Sequence, residues 1–142
     1  MMLDRRFGGM ARLYGVEGAA SIAKSHVMIV GIGGVGSWVA ESLARSGVGE
    51  MTLIDMDHVA ESNINRQIHA LESTLGMSKV AAMKERIGQI NPQCIVHTVD
   101  DFVTPENWLP LLNDLQSAPA ICAPLSAVID ACDQVKSKVA MA

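Results

Sequence analysis

Two short apolar runs dominate the hydrophobic pattern, His26-Val27-Met28-Ile29-Val30-Gly31 and Met51-Thr52-Leu53-Ile54-Asp55. Each has strand length and β-branched residues, and each reads as a buried strand. Between them, Trp38 to Ser46 has a helical pattern stopped by Gly47, so the two strands and the helix make one right-handed βαβ unit. Upstream, apolar residues at mixed helical spacing predict a helix over 11–24. Downstream, Val80, Met83, Ile87 and Ile90 recur at helical intervals, with Ser78 near the start and Asn91-Pro92 at the stop, which predicts an amphipathic helix over 77–90. Cys94 to Val99 alternates as a third strand, Thr104-Pro105 opens a helix through Leu115, and Ala127 to Asp130 is a fourth strand. The stretch from Met56 to Thr74 is polar and without period, a long loop of the kind that carries function, whereas Ser117 to Pro124 reads only as a connection.

Strands alternating with helices predict an α/β, Rossmann-like doubly wound and mostly parallel sheet in the order 3-2-1-4. Ligands are expected at the carboxyl ends of the strands, where the order reverses. With 142 residues, 49% of them hydrophobic, the chain suffices for one core and one domain, 1–142. It stops at Lys138 to Ala142, within the start of a helix, and so reads as truncated at the carboxyl end. No run approaches the ~20 apolar residues that a bilayer helix needs, and the amino terminus has no signal-peptide core. Three cysteines, Cys94, Cys122 and Cys132, lack metal or disulfide spacing; they imply a reducing cytoplasm and are expected to be buried thiols. The net charge of -4 gives no overall basic surface for nucleic acid, leaving room for a local patch.

Gly31, Gly33 and Gly36 form a G-x-G-x-x-G turn. Alone that triplet is a weak signal, but here it follows a strand and opens a helix. The first glycine permits the tight turn, the second lets backbone N–H groups approach an anion, and the third lets the helix pack on the strand. Partial positive charge at the helix N-terminus then faces phosphate, with Gly34 in the same cradle. Asp55, 19 positions after Gly36 at the end of the second strand, suits the hydroxyls of a ribose, and Asp57 lies beside it. A strand-end turn residue is the plainer reading of Asp55. By themselves these features specify an adenosine nucleotide, most often NAD. Arg66 and Lys79 change that choice, because a dehydrogenase has no need of two cations converging on phosphates. A nucleotidyl transfer must offset charge on a triphosphate and on the leaving pyrophosphate. A solvated loop cation and a helix-surface lysine are the plainer roles for the pair.

The successive segments G-I-G-G-V-G-S, T-L-I-D-M-D, S-N-I-N-R-Q, G-M-S-K, I-N-P and I-D-A-C-D, spread from His26 to Asp133, resemble in order and spacing the motifs of the MoeB/ThiF/HesA superfamily, which includes the ubiquitin-activating enzymes. The resemblance implies an enzyme in which a carboxylate attacks the α-phosphorus of ATP, giving an acyl-adenylate and pyrophosphate, with ATP and Mg²⁺ required. By matching position it implies Gly33 and Gly34 at the phosphates, Asp55 on the ribose, and Asn63, Arg66 and Lys79 on the phosphates. Asp133 would support Mg²⁺ or the reacting centre; a helix N-cap is its plainer role. A homodimer is also implied, in which Arg6 or Arg5 reaches the γ-phosphate held by the other protomer, against an ordinary solvated arginine.

The segments from Arg6 to Gly15, Asn65 to Leu71 and Asp100 to Pro105 look most like the branch that dehydrates N6-threonylcarbamoyladenosine in tRNA. That implies tRNA as partner, ring closure with loss of water, and sulfur-relay proteins as further partners. Adenylation of a ubiquitin-like sulfur carrier is the alternative within the superfamily. Outside it stand an NAD-dependent oxidoreductase, which leaves Arg66 and Lys79 without work, and a non-catalytic binding module, against which the set Asp55, Arg66, Lys79 and Asp133 counts. Gln134, where the family has asparagine or serine, and the Ser117 to Pro124 loop depart from the pattern. The family's carboxyl half, with the rest of the substrate site and much of the dimer contact, is expected to lie outside this sequence. His26 and His97 are expected to be structural; His58 and His69 fall in the functional loop, with packing or substrate contact as their roles.

Overall fold

The computed structural model describes residues 4–142. Strands β1 (His26–Val30), β2 (Glu50–Ile54), β3 (Ile95–Val99) and β4 (Ala127–Asp130) form one parallel sheet in the order β3-β2-β1-β4. Val30 pairs with Ile54 and Asp130, and Ile54 with Val99, so the carboxyl ends of all strands share one edge. The helices are α1 (Gly8–Ala23), α2 (Gly36–Arg45), α3 (Lys79–Ile90), α4 (Trp108–Ser117) and α5 (Val135–Met141). The order of strands is the one that the alternation of elements predicts.

Side chains alternate across a strand, and that period divides the core in two. Val27, Ile29, Met51 and Leu53 face the side covered by α2 and α3, where Ala40, Ala44, Val80, Met83 and Ile87 are also buried. Met28, Val30 and Ile54 face the other side and meet Val103 and Trp108. Both central strands are buried at every position, which is why they read as continuous apolar runs. The outer strands β3 and β4 keep exposed positions.

At the amino ends of the strands a buried polar cluster closes the sheet. Glu50 Oε2 accepts from His97 Nε2 (2.6 Å) and from the Cys122 N–H (3.1 Å), and Oε1 accepts from the Ala123 N–H (2.9 Å). His26 donates from Nδ1 to the Ala123 carbonyl (2.9 Å), which leaves Nε2 to accept from the Thr52 hydroxyl (2.7 Å). Both histidines are structural, and the loop before β4 is fastened here.

Several boundaries differ from the sequence pattern. The first helix starts earlier, at Gly8, and is broken at Gly15 (φ 77°, ψ 168°). The helix expected from Thr104 starts at Trp108, because Thr104 and Asn107 satisfy one another first: the Asn107 N–H donates to Thr104 Oγ1 (3.1 Å) and the Thr104 N–H to Asn107 Oδ1 (2.7 Å). The loop after β2 contains single 3₁₀ turns at Glu61–Asn63 and Glu72–Thr74. The thiols are a correction: Cys122 is exposed and Cys94 and Cys132 are half-buried. Cys122 faces outward because its segment is tied to Glu50 through the backbone and not through an apolar side chain. No helix among the described residues is long and apolar enough to cross a membrane.

Candidate functional site

The turn between β1 and α2 contains two kinds of glycine. At Gly31, φ is +92° and a Cβ would lie 2.7 Å from the Ala131 carbonyl; at Gly36 a Cβ would overlap the Gly31 carbonyl. The fold compels both. A Cβ at Gly33 would meet only Gln67 Nε2 at 3.7 Å, and one at Gly34 only the Arg66 side chain at 3.8 Å, both ordinary contacts. Packing therefore does not require glycine at 33 or 34, and the missing side chains leave an open cradle. The Gly33 carbonyl accepts from the Ser37 N–H (3.1 Å) and from the Ser37 hydroxyl (2.5 Å), which seats the turn on the first turn of α2. The N–H groups of Gly33, Gly34 and Val35 have no acceptor among the described residues. Unpaired amides at a helix N-terminus constitute an anion cradle.

Asp55 stands at the end of β2, half-buried, with Oδ2 accepting from the Ile32 N–H (2.7 Å) and Oδ1 from the Asp57 N–H (2.8 Å). It thus holds two turns, and an ionised carboxylate retains lone pairs for two further donors. Asp57 is exposed; its carbonyl accepts from the Lys79 N–H (2.9 Å) and so ties the loop to the start of α3.

The loop after β2 folds back over the cradle. Asn63 is buried, and its Oδ1 accepts from the Ala60 N–H (2.9 Å), leaving the side-chain amide as a donor. Arg66 lies across Gly34; its Nη1 donates to the Ser62 carbonyl (2.8 Å) and to Asn65 Oδ1 (3.1 Å). No carboxylate neutralises it among the described residues. Lys79, the first residue of α3, is 7% exposed and has no ion pair among the described residues. Its charge and that of Asp55 both act on buried His69. A lysine whose stem is packed and whose charge has no counter-ion in the fold is available to the negative charge of a ligand.

The ThiF-family sequence pattern matches residues 6–142 of the 142. The chain belongs to the ThiF family. It is 53% identical over 137 residues to a tRNA threonylcarbamoyladenosine dehydratase of Escherichia coli (strain K12), covering 96% of this chain and 48% of that protein. It is 47% identical to the protein of the same description in Haemophilus influenzae, covering 97% of this chain and 49% of that one. Among solved structures, the E. coli dehydratase in complex with ATP superposes with a TM-score of 0.86 at 50% identity, covering 99% of this chain and 56% of that one. The ThiF-family chain thus spans about half the length of the curated relatives it matches.

Within this ThiF-family domain the structure brings Gly31, Gly33, Gly34, Gly36, Asp55, Arg66 and Lys79 to one sheet edge. Asp133 follows β4 at the same edge and is exposed; the cap of α5 is Gln134, so Asp133 is not that helix's N-cap. Its neighbour Asp130 pairs with Lys138 (3.1 Å). The structure does not bring Arg6 to the cradle: its guanidinium pairs with Asp4 (3.2 Å), and the adjoining Phe7 packs under Gly47, at the far end of α2.

Two residues of this edge, Trp38 and Gln67, had no role in the sequence analysis, and His69 takes the packing role expected of it. Trp38 donates from Nε1 to the Arg66 carbonyl (2.7 Å), Gln67 is buried beside Gly33 with Oε1 unpartnered, and His69 donates to the Ile32 carbonyl (2.7 Å). The signal for Trp38 is a large aromatic one residue past a G-x-G-x-x-G-S turn on a helix face that stays half exposed. For Gln67 it is a polar residue directly after Arg66 in the loop, buried where the loop crosses the Gly33 turn.

Proposed function

We propose that this chain is the ATP-binding part of an enzyme that adenylates a carboxylate, and that the carboxylate is the threonylcarbamoyl group of a modified adenosine in tRNA. One observation carries the first half: Arg66 lies across an open glycine cradle of unpaired amides, Lys79 stands near enough for its charge to act on His69 at the same turn, and no carboxylate among the described residues neutralises either cation. Residues and ligand fit, since a triphosphate supplies the negative charge that both cations lack. The names of the two relatives, at 53% and 47% identity, support the substrate.

In this reading Asp55 orients the ribose, and the amides of Gly33 and Gly34 hold phosphate oxygens. Arg66, Lys79 and the Asn63 amide offset charge as the carboxylate attacks the α-phosphorus and the bond to the bridging oxygen breaks, releasing pyrophosphate. The carboxylate, now an acyl-adenylate, is attacked from within the same side chain; AMP leaves and a ring closes with net loss of water. In this reading Asp133, exposed and free of any ion pair among the described residues, would hold Mg²⁺, which is bound in nucleotide enzymes by about one or two carboxylates together with substrate phosphates. When bound, the ion supplies charge neutralisation on the phosphates. Among the described residues no cluster of three metal-binding side chains stands ready without nucleotide.

A homodimer belongs to the same proposal: Phe7 packs at the end of α2 away from the cradle, about 15 Å of helix from it, so a phosphate contact by Arg6 would be made in another protomer's site. The test is the full-length protein with ATP and tRNA carrying threonylcarbamoyladenosine. AMP release and a nucleoside lighter by one water, seen by mass spectrometry, are expected from the wild type and are lost in Arg66→Ala. Unchanged turnover in Arg66→Ala removes the phosphate role, and turnover with a carrier protein but not with tRNA removes the substrate.

A further inference from the structure

His69 lies in the loop that carries Arg66, yet it points inward and is 1% exposed. Its Nε2 is 2.7 Å from the Ile32 carbonyl, and since a carbonyl only accepts, Nε2 carries the hydrogen. Burial, the largest influence, pushes the imidazole below its ordinary value of 6.5, and Lys79 pushes the same way against the Ile32 bond and Asp55. The ring is therefore neutral, and its Nδ1 lone pair is buried with no donor. An unsatisfied acceptor costs stability that an apolar ring at this position would not. The cost falls on a side chain whose one polar contact is the Ile32 carbonyl.

That carbonyl belongs to the peptide that enters the cradle. The peptide is trans, so the Ile32 carbonyl and the Gly33 N–H point in opposite directions. Asp55 Oδ2 fixes the preceding N–H of Ile32 (2.7 Å), and His69 fixes the carbonyl. The backbone that carries the ring is itself held in place, because the Thr74 hydroxyl donates to the His69 carbonyl (2.6 Å). With no Cβ at Gly33, the peptide would otherwise be free to turn over, replacing a donor with a carbonyl and so reversing the sign of the charge offered to phosphate.

We propose that His69 is a positioning residue for the phosphates: its Nε2–H latches the Ile32 carbonyl away from the cradle and keeps the Gly33 N–H turned into it. The proposal rests on the ATP reading above and adds to it the residue that sets the polarity of the turn. The test measures binding of ATP and of adenosine to the full-length protein by calorimetry. In His69→Phe, ATP affinity is expected to fall about tenfold or more, the worth of a charge-assisted hydrogen bond. Adenosine, which needs Asp55 but not the turned amide, should stay within about twofold. His69→Gln, whose amide reaches the Nε2 position, should restore ATP affinity to within about threefold. A second reading needs no variant: the Gly33 amide resonance of the wild type should shift on adding ATP and not on adding adenosine. An unchanged ATP-to-adenosine ratio in His69→Phe, equal loss of both ligands, no rescue by glutamine, or a Gly33 amide indifferent to ATP overturns the latch. Absence of ATP binding by the wild type would instead remove the ATP reading, and with it the ligand the latch serves.

Discussion

Lys79 shows at the scale of one residue how function and stability pull apart. The residue is 7% exposed and its ammonium has no paired carboxylate among the described residues, so no ion pair there adds to the stability of the fold. Lys79→Met keeps the length of the side chain and removes the charge. It is expected to weaken ATP binding by about tenfold to a hundredfold, as loss of a charged hydrogen bond does, while the melting temperature stays the same or rises. Calorimetric binding with a parallel thermal melt checks both; a falling melting temperature would show that the ammonium is satisfied by the fold. The residue type was legible in the sequence, since G-M-S-K placed the lysine at a helix start. Its burial was not, because a lysine at the first position of an amphipathic helix ordinarily lies in water.

At the scale of elements, the turn between β1 and α2 separates glycines that build the fold from glycines that leave room. Gly36→Ala would drive a methyl into the Gly31 carbonyl, and is expected to cost several kcal/mol or prevent folding. Gly33→Ala meets nothing closer than Gln67 Nε2 at 3.7 Å, so it should fold with a loss under about 1 kcal/mol and still bind ATP poorly. Denaturant melts of the two variants, beside ATP titration of the second, distinguish these outcomes. The strands, their order and the α2 and α3 helices were legible because the two central strands are buried throughout and mostly apolar and Ser78 caps α3 on the Ala81 N–H (3.2 Å). The start of α4 was not, because Thr104 has the look of a helix cap while its actual partner, Asn107, postpones the helix by a turn. Nor were Trp38 and Gln67, nor the atom that His69 contacts, which depend on a loop crossing back over the turn, a contact between residues far apart in the chain that no local pattern records.

Across the whole molecule, acid should erode stability over two successive pH ranges. Burial alone would raise the carboxyl of Glu41, but hydrogen bonds from Arg86 (2.6 Å) and Arg45 (3.0 Å) outweigh it and hold it below 4.5, tying α2 to α3. Glu50 is likewise raised by burial but held below 4.5 overall by His97, the Cys122 and Ala123 amides and His26. Both carboxylates therefore stabilise the fold above their unfolded value near 4.5, and that stability is lost as pH falls through their lower folded values. His69 is depressed below 6.5, so the unfolded chain takes up its proton first and the loss begins as pH drops under 6.5. Melting temperature against pH should decline gently from about 6.5 and steeply below about 4.5, and His69→Gln should flatten the upper limb. A curve flat from pH 7 to 5 in the wild type would contradict the buried neutral ring.

The indole of Trp38 is 50% exposed and its N–H grips the backbone of Arg66, whereas Trp108, the other tryptophan, is 6% exposed beneath the opposite face of the sheet. The molecule thus contains its own pair of optical probes, a red-emitting fluorophore on the cradle and a blue-emitting one shielded in the core. Nucleotide docking should change the red edge of the emission and leave the blue edge alone, so occupancy of the site can be followed by light without any label attached.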